Sequence, residues 1–179
     1  MRKISITIIS IFLVLQTSAQ TTVYGFQIPA IETGTINLNN YQGKKILLVN
    51  SASQSNNVQQ YAELQQLYIK FKDSGLVIIT VPSNSFNTEP QSNAQILQTC
   101  INSYGISFPM AAKAAVKGTT AIALYQWLTK KAQNSVMDTE VKTDFQKYLI
   151  NTQGKLVGVF AARIHPMHDI LVKAIRNTQ

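Results

Sequence analysis

The sequence predicts an α/β domain in which a central mixed sheet is flanked by helices and preceded by an N-terminal β-hairpin. Three patterns carry this expectation. Two runs of β-favouring residues, the wholly apolar 46–49 and 76–81 with Thr80 as its one polar member, have the composition of strands buried on both faces. Between them Val58, Tyr61, Leu64, Leu67, Tyr68 and Phe71 recur at three- and four-residue spacing, the stripe of an amphipathic helix over 57–72. Towards the end, 144–151 and 155–162 are strand-like stretches joined by Asn151-Thr152-Gln153-Gly154, a tight-turn sequence.

The chain has 179 residues, enough for one domain with a proper core, and no repeat or long linker divides it. Residues 1–19 read as a secretory leader. Arg2 and Lys3 precede the apolar stretch 4–15, and Thr17-Ser18-Ala19 supplies small residues for cleavage after Ala19. A retained membrane anchor fits less well, because Ser5, Thr7 and Ser10 interrupt a run already shorter than the roughly 20 apolar residues a span needs. The domain is therefore expected over 20–179, in an exported protein that is periplasmic or secreted.

The first strands of that domain are expected over 23–28 and 35–38, on either side of a turn region at 29–34, because apolar and polar residues alternate there. The buried run 46–49 breaks into Ser51, Ser53, Ser55 and Asn56, a strand-to-helix turn with Asn56 or Asn57 as the helix cap. Strand, helix and the strand 76–81 then form a right-handed βαβ unit with parallel strands. A second helix over 92–104 places Ile96, Leu97, Cys100, Ile101 and Tyr104 on one face and closes at Gly105. After the hairpin, a last helix is expected to start near Pro166 and to bury Met167, Ile170, Leu171, Ala174 and Ile175.

Charge and cysteine usage narrow the function classes. Without the leader, Lys+Arg falls from 16 to 14 against 8 acids, a net charge of +6. The basic residues are dispersed and no basic stripe carries interleaved aromatics, so nucleic acid is not an expected partner. The single Cys100 excludes an intramolecular disulfide. No Gly-x-Ser-x-Gly elbow surrounds Ser51, Ser53 or Ser55, which argues against a serine hydrolase. His165 and His168, with Asp169 beside them, are weak metal candidates, since two histidines three apart at a helix start more simply face solvent. No cofactor is implied.

The order of several motifs resembles the glutathione peroxidase family. In that family a strand ending Val-Asn-x-Ala-Ser is followed two residues later by the peroxide-reducing cysteine or selenocysteine. Here Val49-Asn50-Ser51-Ala52-Ser53 is followed by Gln54 and Ser55. Pro82, Asn84, Phe86, Glu89 and Pro90 match the family's next loop, with Ser85 where a glutamine is expected. Phe108-Pro109, Val116-Lys117-Gly118 and Leu124-Tyr125-Gln126-Trp127-Leu128 resemble further segments in the right order. The family's Trp-Asn-Phe-x-Lys-Phe-Leu corresponds to Thr143-Asp144-Phe145-Gln146-Lys147-Tyr148-Leu149. The resemblance spans 23–177 and implies a thioredoxin-like fold and an ancestral hydroperoxide reduction with glutathione or thioredoxin as reductant.

It also implies that the catalytic constellation is not intact. Its four positions are Ser55, Ser85, Thr143 and Asp144, and each differs from the family residue. A serine oxygen cannot be cycled through sulfenic oxidation states, and an alcohol without a neighbouring base stays un-ionised at neutral pH. An anionic Asp144 disfavours a thiolate or peroxide anion beside it. Cys100, matching the family's resolving cysteine, is the redox candidate; its competing reading is a small buried residue on the face shared with Ile96, Leu97 and Tyr104. The expectation is a non-catalytic member acting as a binding or interaction module for an unknown protein or small ligand, with Asn84, Ser55, Ser85 and Asp144 lining a polar cleft. The alternative is residual thiol-dependent peroxide reduction through Cys100. The short stretch 132–141, where relatives carry an oligomer-forming loop, favours a monomer.

Overall fold

A computed structural model describes residues 22–179, so the expected leader lies outside the described residues. In chain order the strands are β1 (Gln27–Pro29), β2 (Thr35–Asn37), β3 (Lys45–Ser51), β4 (Leu76–Pro82), β5 (Lys147–Ile150) and β6 (Leu156–Phe160). The helices are α1 (Gln60–Phe71), α2 (Asn93–Tyr104), α3 (Ala123–Thr129), the single turn α4 (Lys131–Asn134) and α5 (Asp169–Asn177). The main sheet has the order β4-β3-β5-β6, with β3 and β4 parallel and the other two pairings antiparallel; β1 and β2 form a separate antiparallel hairpin. This is the mixed sheet expected from the sequence.

The continuous apolar character of β3 follows from cover on both faces. Ile46 and Leu48 pack with Val77, Ile79, the hairpin residues Ile28 and Ile36, and Leu124, Tyr125, Trp127 and Leu128 of the α3 segment. Leu47 and Val49 pack on the opposite side with Leu76 and Ile78, beneath Tyr61, Leu64 and Leu67 of α1, Ile96 and Cys100 of α2, and Leu171 and Ile175 of α5. Alternate residues of one strand thus anchor two separate cores.

Several boundaries differ from the sequence expectation. Residues 23–25 and 38–41 form 3-10 turns, so the hairpin strands are shorter than periodicity suggests. Helix α1 begins at Gln60, not at 57, because successive tight turns run through 55–61, with Val58 N–H donating to Ser55 O and Gln60 N–H to Asn57 O. Neither Asn56 nor Asn57 caps it in the expected way; Ser55 Oγ accepts from Asn57 N–H at 3.2 Å instead. Helix α2 keeps its expected span, opened by a capping box between Ser92 and Gln95 and closed at Gly105, but Ile101 is 47% exposed and leaves the buried face.

Strand β5 starts at Lys147 instead of 144. Phe145 adopts φ +59, which turns the backbone out of strand geometry, and its N–H donates to Asn50 O at 2.6 Å. The last helix begins at Asp169, not Pro166. Pro166 sits in a turn closed by His168 N–H donating to His165 O, and His168 is extended and caps the helix by accepting from Ile170 N–H at 3.2 Å. The shift rotates the apolar face: Leu171, Val172 and Ile175 are buried, whereas Ile170 is 53% exposed. Among the described residues no helix is long and apolar enough to cross a membrane.

The 151–154 turn is held from several directions. Asn151 Oδ1 accepts from Gln153 and Lys155 N–H, Tyr24 Oη donates to Thr152 O at 2.7 Å, Val23 N–H donates to Gly154 O, and Thr152 N–H donates to Gln179 O. Gly154 has φ +77, and a Cβ there stands 2.6 Å from the Tyr24 ring. The ring cannot swing aside without losing its hydroxyl bond. Gly154→Ala is therefore expected to destabilise the fold by about 1–3 kcal/mol in denaturant titration; an unchanged midpoint refutes this account of the turn.

Lys147 is buried in the middle of this architecture. Its Nζ donates to Gln60 Oε1 at 2.5 Å and Phe145 O at 2.8 Å, and Gln60 Nε2 donates to Ala162 O at 2.8 Å, so one amine ties α1 to the approach of β5. Burial pushes its pKa down from 10.5 to about 7, opposed by the Glu63 charge. Between those values the unfolded chain binds a proton that the folded chain releases. Stability from this group is thus present above the unfolded value and is lost as pH falls towards 7. The parent is expected to gain stability from pH 7 towards pH 10 relative to Lys147→Met, by at most about 1.4 kcal/mol per pH unit for one proton. Parallel stability curves for the two proteins contradict the assignment.

Candidate functional site

The C-terminal ends of β3 and β4 and the approach to β5 meet at one edge of the sheet. The parallel register places Ser51 opposite Pro82, and Ser83 N–H donates to Ser51 O at 2.9 Å as both chains leave the sheet. The two loops are then clamped together. Glu89 is fully buried, and its carboxylate accepts from Ser53 N–H at 2.6 Å and from Ser53 Oγ at 2.7 Å. Asn84 Oδ1 accepts from Glu89 N–H at 3.0 Å, and Gln54 N–H donates to Thr88 O at 3.0 Å. Charge-assisted bonds of the Glu89 kind are each stronger than neutral ones, so the turn after β3 is fixed by the loop after β4.

Ser55 lies inside this clamp and is 6% exposed. Its hydroxyl oxygen accepts from Asn57 N–H at 3.2 Å, and the Asp144 carboxyl lies nearby. Asp144 is also buried, with Thr88 Oγ1 donating to Oδ2 at 2.6 Å and no partner for Oδ1 among the described residues. Burial raises the Asp144 pKa, and the hydrogen bonds from Thr88 and Ser55 oppose that rise. Asn50 Nδ2 donates to Thr143 O at 2.9 Å, which together with the Phe145–Asn50 bond holds residues 143–145 against the end of β3.

Of the four positions singled out in the sequence, the structure places Ser55 near Asp144 and holds the Thr143 backbone against Asn50 beside them. Ser85 belongs elsewhere. Its Oγ accepts from Ser83 Oγ at 2.9 Å and from Val116 N–H at 3.1 Å, and with Asn84 it lines a cleft formed by the 113–120 segment. The single polar cleft expected around Asn84, Ser55, Ser85 and Asp144 is therefore corrected: Asn84 and Ser85 line an open cleft, whereas Ser55 and Asp144 are packed under Thr88. Sequence reasoning missed Thr88 and Glu89 as site residues. A buried-site signal was present in Glu89, a carboxylate shortly after a buried strand and directly before Pro90.

Cys100 is 1% exposed and is a free thiol. Burial pushes its pKa up to about 11; the neighbouring Tyr61 hydroxyl opposes this and the Glu89 charge adds to it. It is held as a neutral thiol. The two histidines serve separate structural ends: His165 Nδ1 pairs with Glu63 Oε1 at 2.7 Å, and His168 caps α5. Among the described residues no three His, Cys, Asp or Glu side chains gather as metal ligands.

Chemically, the edge holds a hydroxyl that accepts from a backbone N–H, a buried carboxyl and a turn clamped by Glu89. Comparison with known proteins gives it a lineage. Residues 23–129 match the glutathione peroxidase family. A glutathione peroxidase homolog, BsaA of Staphylococcus aureus strain MW2, is 37% identical over 147 residues, covering 82% of this chain and 92% of the relative. The hydroperoxy fatty acid reductase gpx1 of Synechocystis sp. is 33% identical over 154 residues, covering 83% of this chain and 91% of the relative. Among solved structures, Trgpx in its apo form aligns with a TM-score of 0.65 and 28% identity over 88% of this chain and 98% of that one. A thiol:disulfide interchange protein from Chlorobium tepidum TLS aligns with a TM-score of 0.63 at 14% identity over 87% and 96%, which shows the shared fold. The chain has a thioredoxin-like fold and belongs to the glutathione peroxidase family.

Proposed function

We propose that this protein is an exported, non-catalytic member of the glutathione peroxidase family that acts by binding a partner or ligand. The observation that carries this reading is the environment of Ser55. The position at which the family resemblance expects a peroxide-reducing thiol holds a hydroxyl that is buried, accepts from Asn57 N–H and lies near the buried Asp144 carboxyl. Peroxide reduction needs a sulfur or selenium anion whose charge is supported by nearby donors. Ser55 supplies neither sulfur nor charge, and Asp144 presents a carboxyl where a donor is needed. Export rests on the leader-like residues 1–19.

The relatives' names favour a second reading, peroxide reduction, for which the single thiol, Cys100, is the candidate. Against it stands the chemistry of that thiol. With a pKa of about 11, only about 0.01% of it is ionised at pH 7, and it is sealed between α2 and the sheet.

Hydroperoxide consumption by residues 20–179, with thioredoxin and separately with glutathione as reductant, separates the two. The parent and Cys100→Ser are expected to match the background rate. Ser55→Cys is expected to introduce slow turnover, held back because Asp144 disfavours the thiolate, and Ser55→Cys/Asp144→Asn to run about tenfold faster, the effect of one unit in thiol pKa. Clear parental turnover that disappears in Cys100→Ser overturns the non-catalytic reading. For export, the full chain expressed in a bacterium is expected to yield protein beginning at Gln20 outside the inner membrane; retention of uncleaved chain in the cytoplasm contradicts it.

A further inference from the structure

Cations that are scattered along the sequence are gathered by the fold at one end of the molecule. Lys44 and Lys45 open β3, Lys70 and Lys72 close α1, and Lys173 and Arg176 lie in the last two turns of α5. Specific contacts bring these segments together. Lys45 N–H donates to Gly75 O just after α1, and Lys45 Nζ donates to Ile175 O of α5 at 2.8 Å. The Arg176 guanidinium and Lys70 Nζ each stand 5.8 Å from the centre of the Phe71 ring. Of residues 43–46, 70–76 and 173–177 only Asp73 is acidic, and the ion pairs of the described residues, Lys117–Glu140 and His165–Glu63, lie elsewhere. The positive charge at this end is not neutralised.

A cation in the last turn of a helix complements the helix dipole, which accounts for Lys70 and Arg176. It does not account for Lys44 and Lys45, which belong to no helix, nor for two cations drawn to one ring. Like charges so placed repel, and an anion beside both favours each. Between these segments lies a depression of about 330 Å³ bordered by Lys45, Ser74 and Arg176 over Phe71, Leu76 and Ile175. Lys45 keeps two N–H groups beyond the one on Ile175 O, and the Arg176 guanidinium has no hydrogen-bond partner among the described residues, so donors for an anionic oxygen remain. Ile69, next to Lys70 in the last turn of α1, is 58% exposed. A single phosphate needs only Lys45 and Arg176. Cations from three separate elements, with an exposed isoleucine among them, match a surface that presents many anions over an apolar layer.

We propose that this end of the molecule docks on an anionic phospholipid surface, with a headgroup phosphate between Lys45 and Arg176, the other lysines on neighbouring headgroups and Ile69 at the acyl boundary. Strand β3 has seven residues and spans roughly 20 Å, so the Ser55 edge stands at its far end and faces away from the membrane. The inference goes beyond the proposed binding role, since it adds a second surface and rests on no property of Ser55 or Cys100. The two fail separately, because docking is measured without peroxide and turnover without lipid.

The test is co-flotation of residues 20–179 with vesicles of phosphatidylglycerol and phosphatidylcholine in equal parts, and with phosphatidylcholine alone. Saturable binding to the anionic vesicles is expected, at least roughly tenfold weaker on phosphatidylcholine and falling steeply as salt rises from about 0.05 to about 0.5 M. Each basic residue near an anionic surface is worth about fivefold in binding, so Lys44→Gln/Lys72→Gln is expected to bind about 25-fold more weakly. Both side chains are exposed, so the fold does not depend on them. Lys113→Gln/Lys117→Gln removes the same charge from the 113–120 segment beside Ser85 and is expected to bind as the parent does. No binding to the anionic vesicles, equal binding to both kinds, or equal loss in the two double variants overturns the proposal. Release from the vesicles by inorganic phosphate, where chloride at equal ionic strength releases nothing, overturns it in favour of a single-anion seat. Binding of soluble polyglutamate as tight as that of the vesicles, and unchanged in Ile69→Gln, overturns it in favour of an acidic polymer.

Discussion

The demand of β3 to be dry on both faces governs the rest of the molecule. A strand with Ile46 and Leu48 on one side and Leu47 and Val49 on the other cannot sit at a surface, so the chain must supply two covering layers. One comes from the hairpin and α3, the other from α1, α2 and α5. The polar residues that follow, Asn50 and Ser51, are also buried, and they must therefore be accommodated within the fold. The turn that emerges from β3 is where the two layers stop and where charged and hydroxyl groups first become tolerable.

At that turn the fold substitutes rigidity for reactivity. Glu89 and Thr88 reach across from the loop after β4, one holding Ser53 and the other Asp144, and Ser55 is buried in the turn so fixed. In a thiol peroxidase the same location must admit peroxide and stabilise negative charge. Here Ser53 holds Glu89 and Thr88 holds Asp144 Oδ2, while Asp144 Oδ1 stays unpaired among the described residues. The single thiol, Cys100, is kept neutral on α2, beside Tyr61, by the same exclusion of water that makes the core stable.

The alternation of apolar and polar residues made the elements legible, because a period near 3.6 or an unbroken run reports burial directly. It reported ends poorly. Helix α1 starts late because Ser55, three residues before the first apolar residue of the stripe, diverts the backbone into tight turns that periodicity does not register. The start of α5 depends on whether Pro166 opens a helix or a turn, and both use the same φ. Phe145 is invisible as a left-handed residue, since nothing in its side chain favours φ +59; the conformation is imposed by the bond to Asn50 O. The direction taken by Ser85 is likewise set by a distant partner, Val116, and the burial of Lys147 depends on Gln60 and a backbone carbonyl accepting from its amine. Local chemistry specified what each segment is, and long-range hydrogen bonds decided where each polar side chain points.

The turn at 151–154 has a mechanical meaning. Val23 and Gln179, far apart in sequence, are both hydrogen-bonded to its backbone, through Gly154 O and Thr152 N–H. A tension applied between these two residues is met first by that pair of bonds, which break in succession, while the ladders joining β4, β3, β5 and β6 carry no load until the outer segments have peeled away. Forced extension of this protein would accordingly begin as a low-force zipper at the rim and reach its main resistance only when the sheet itself is sheared.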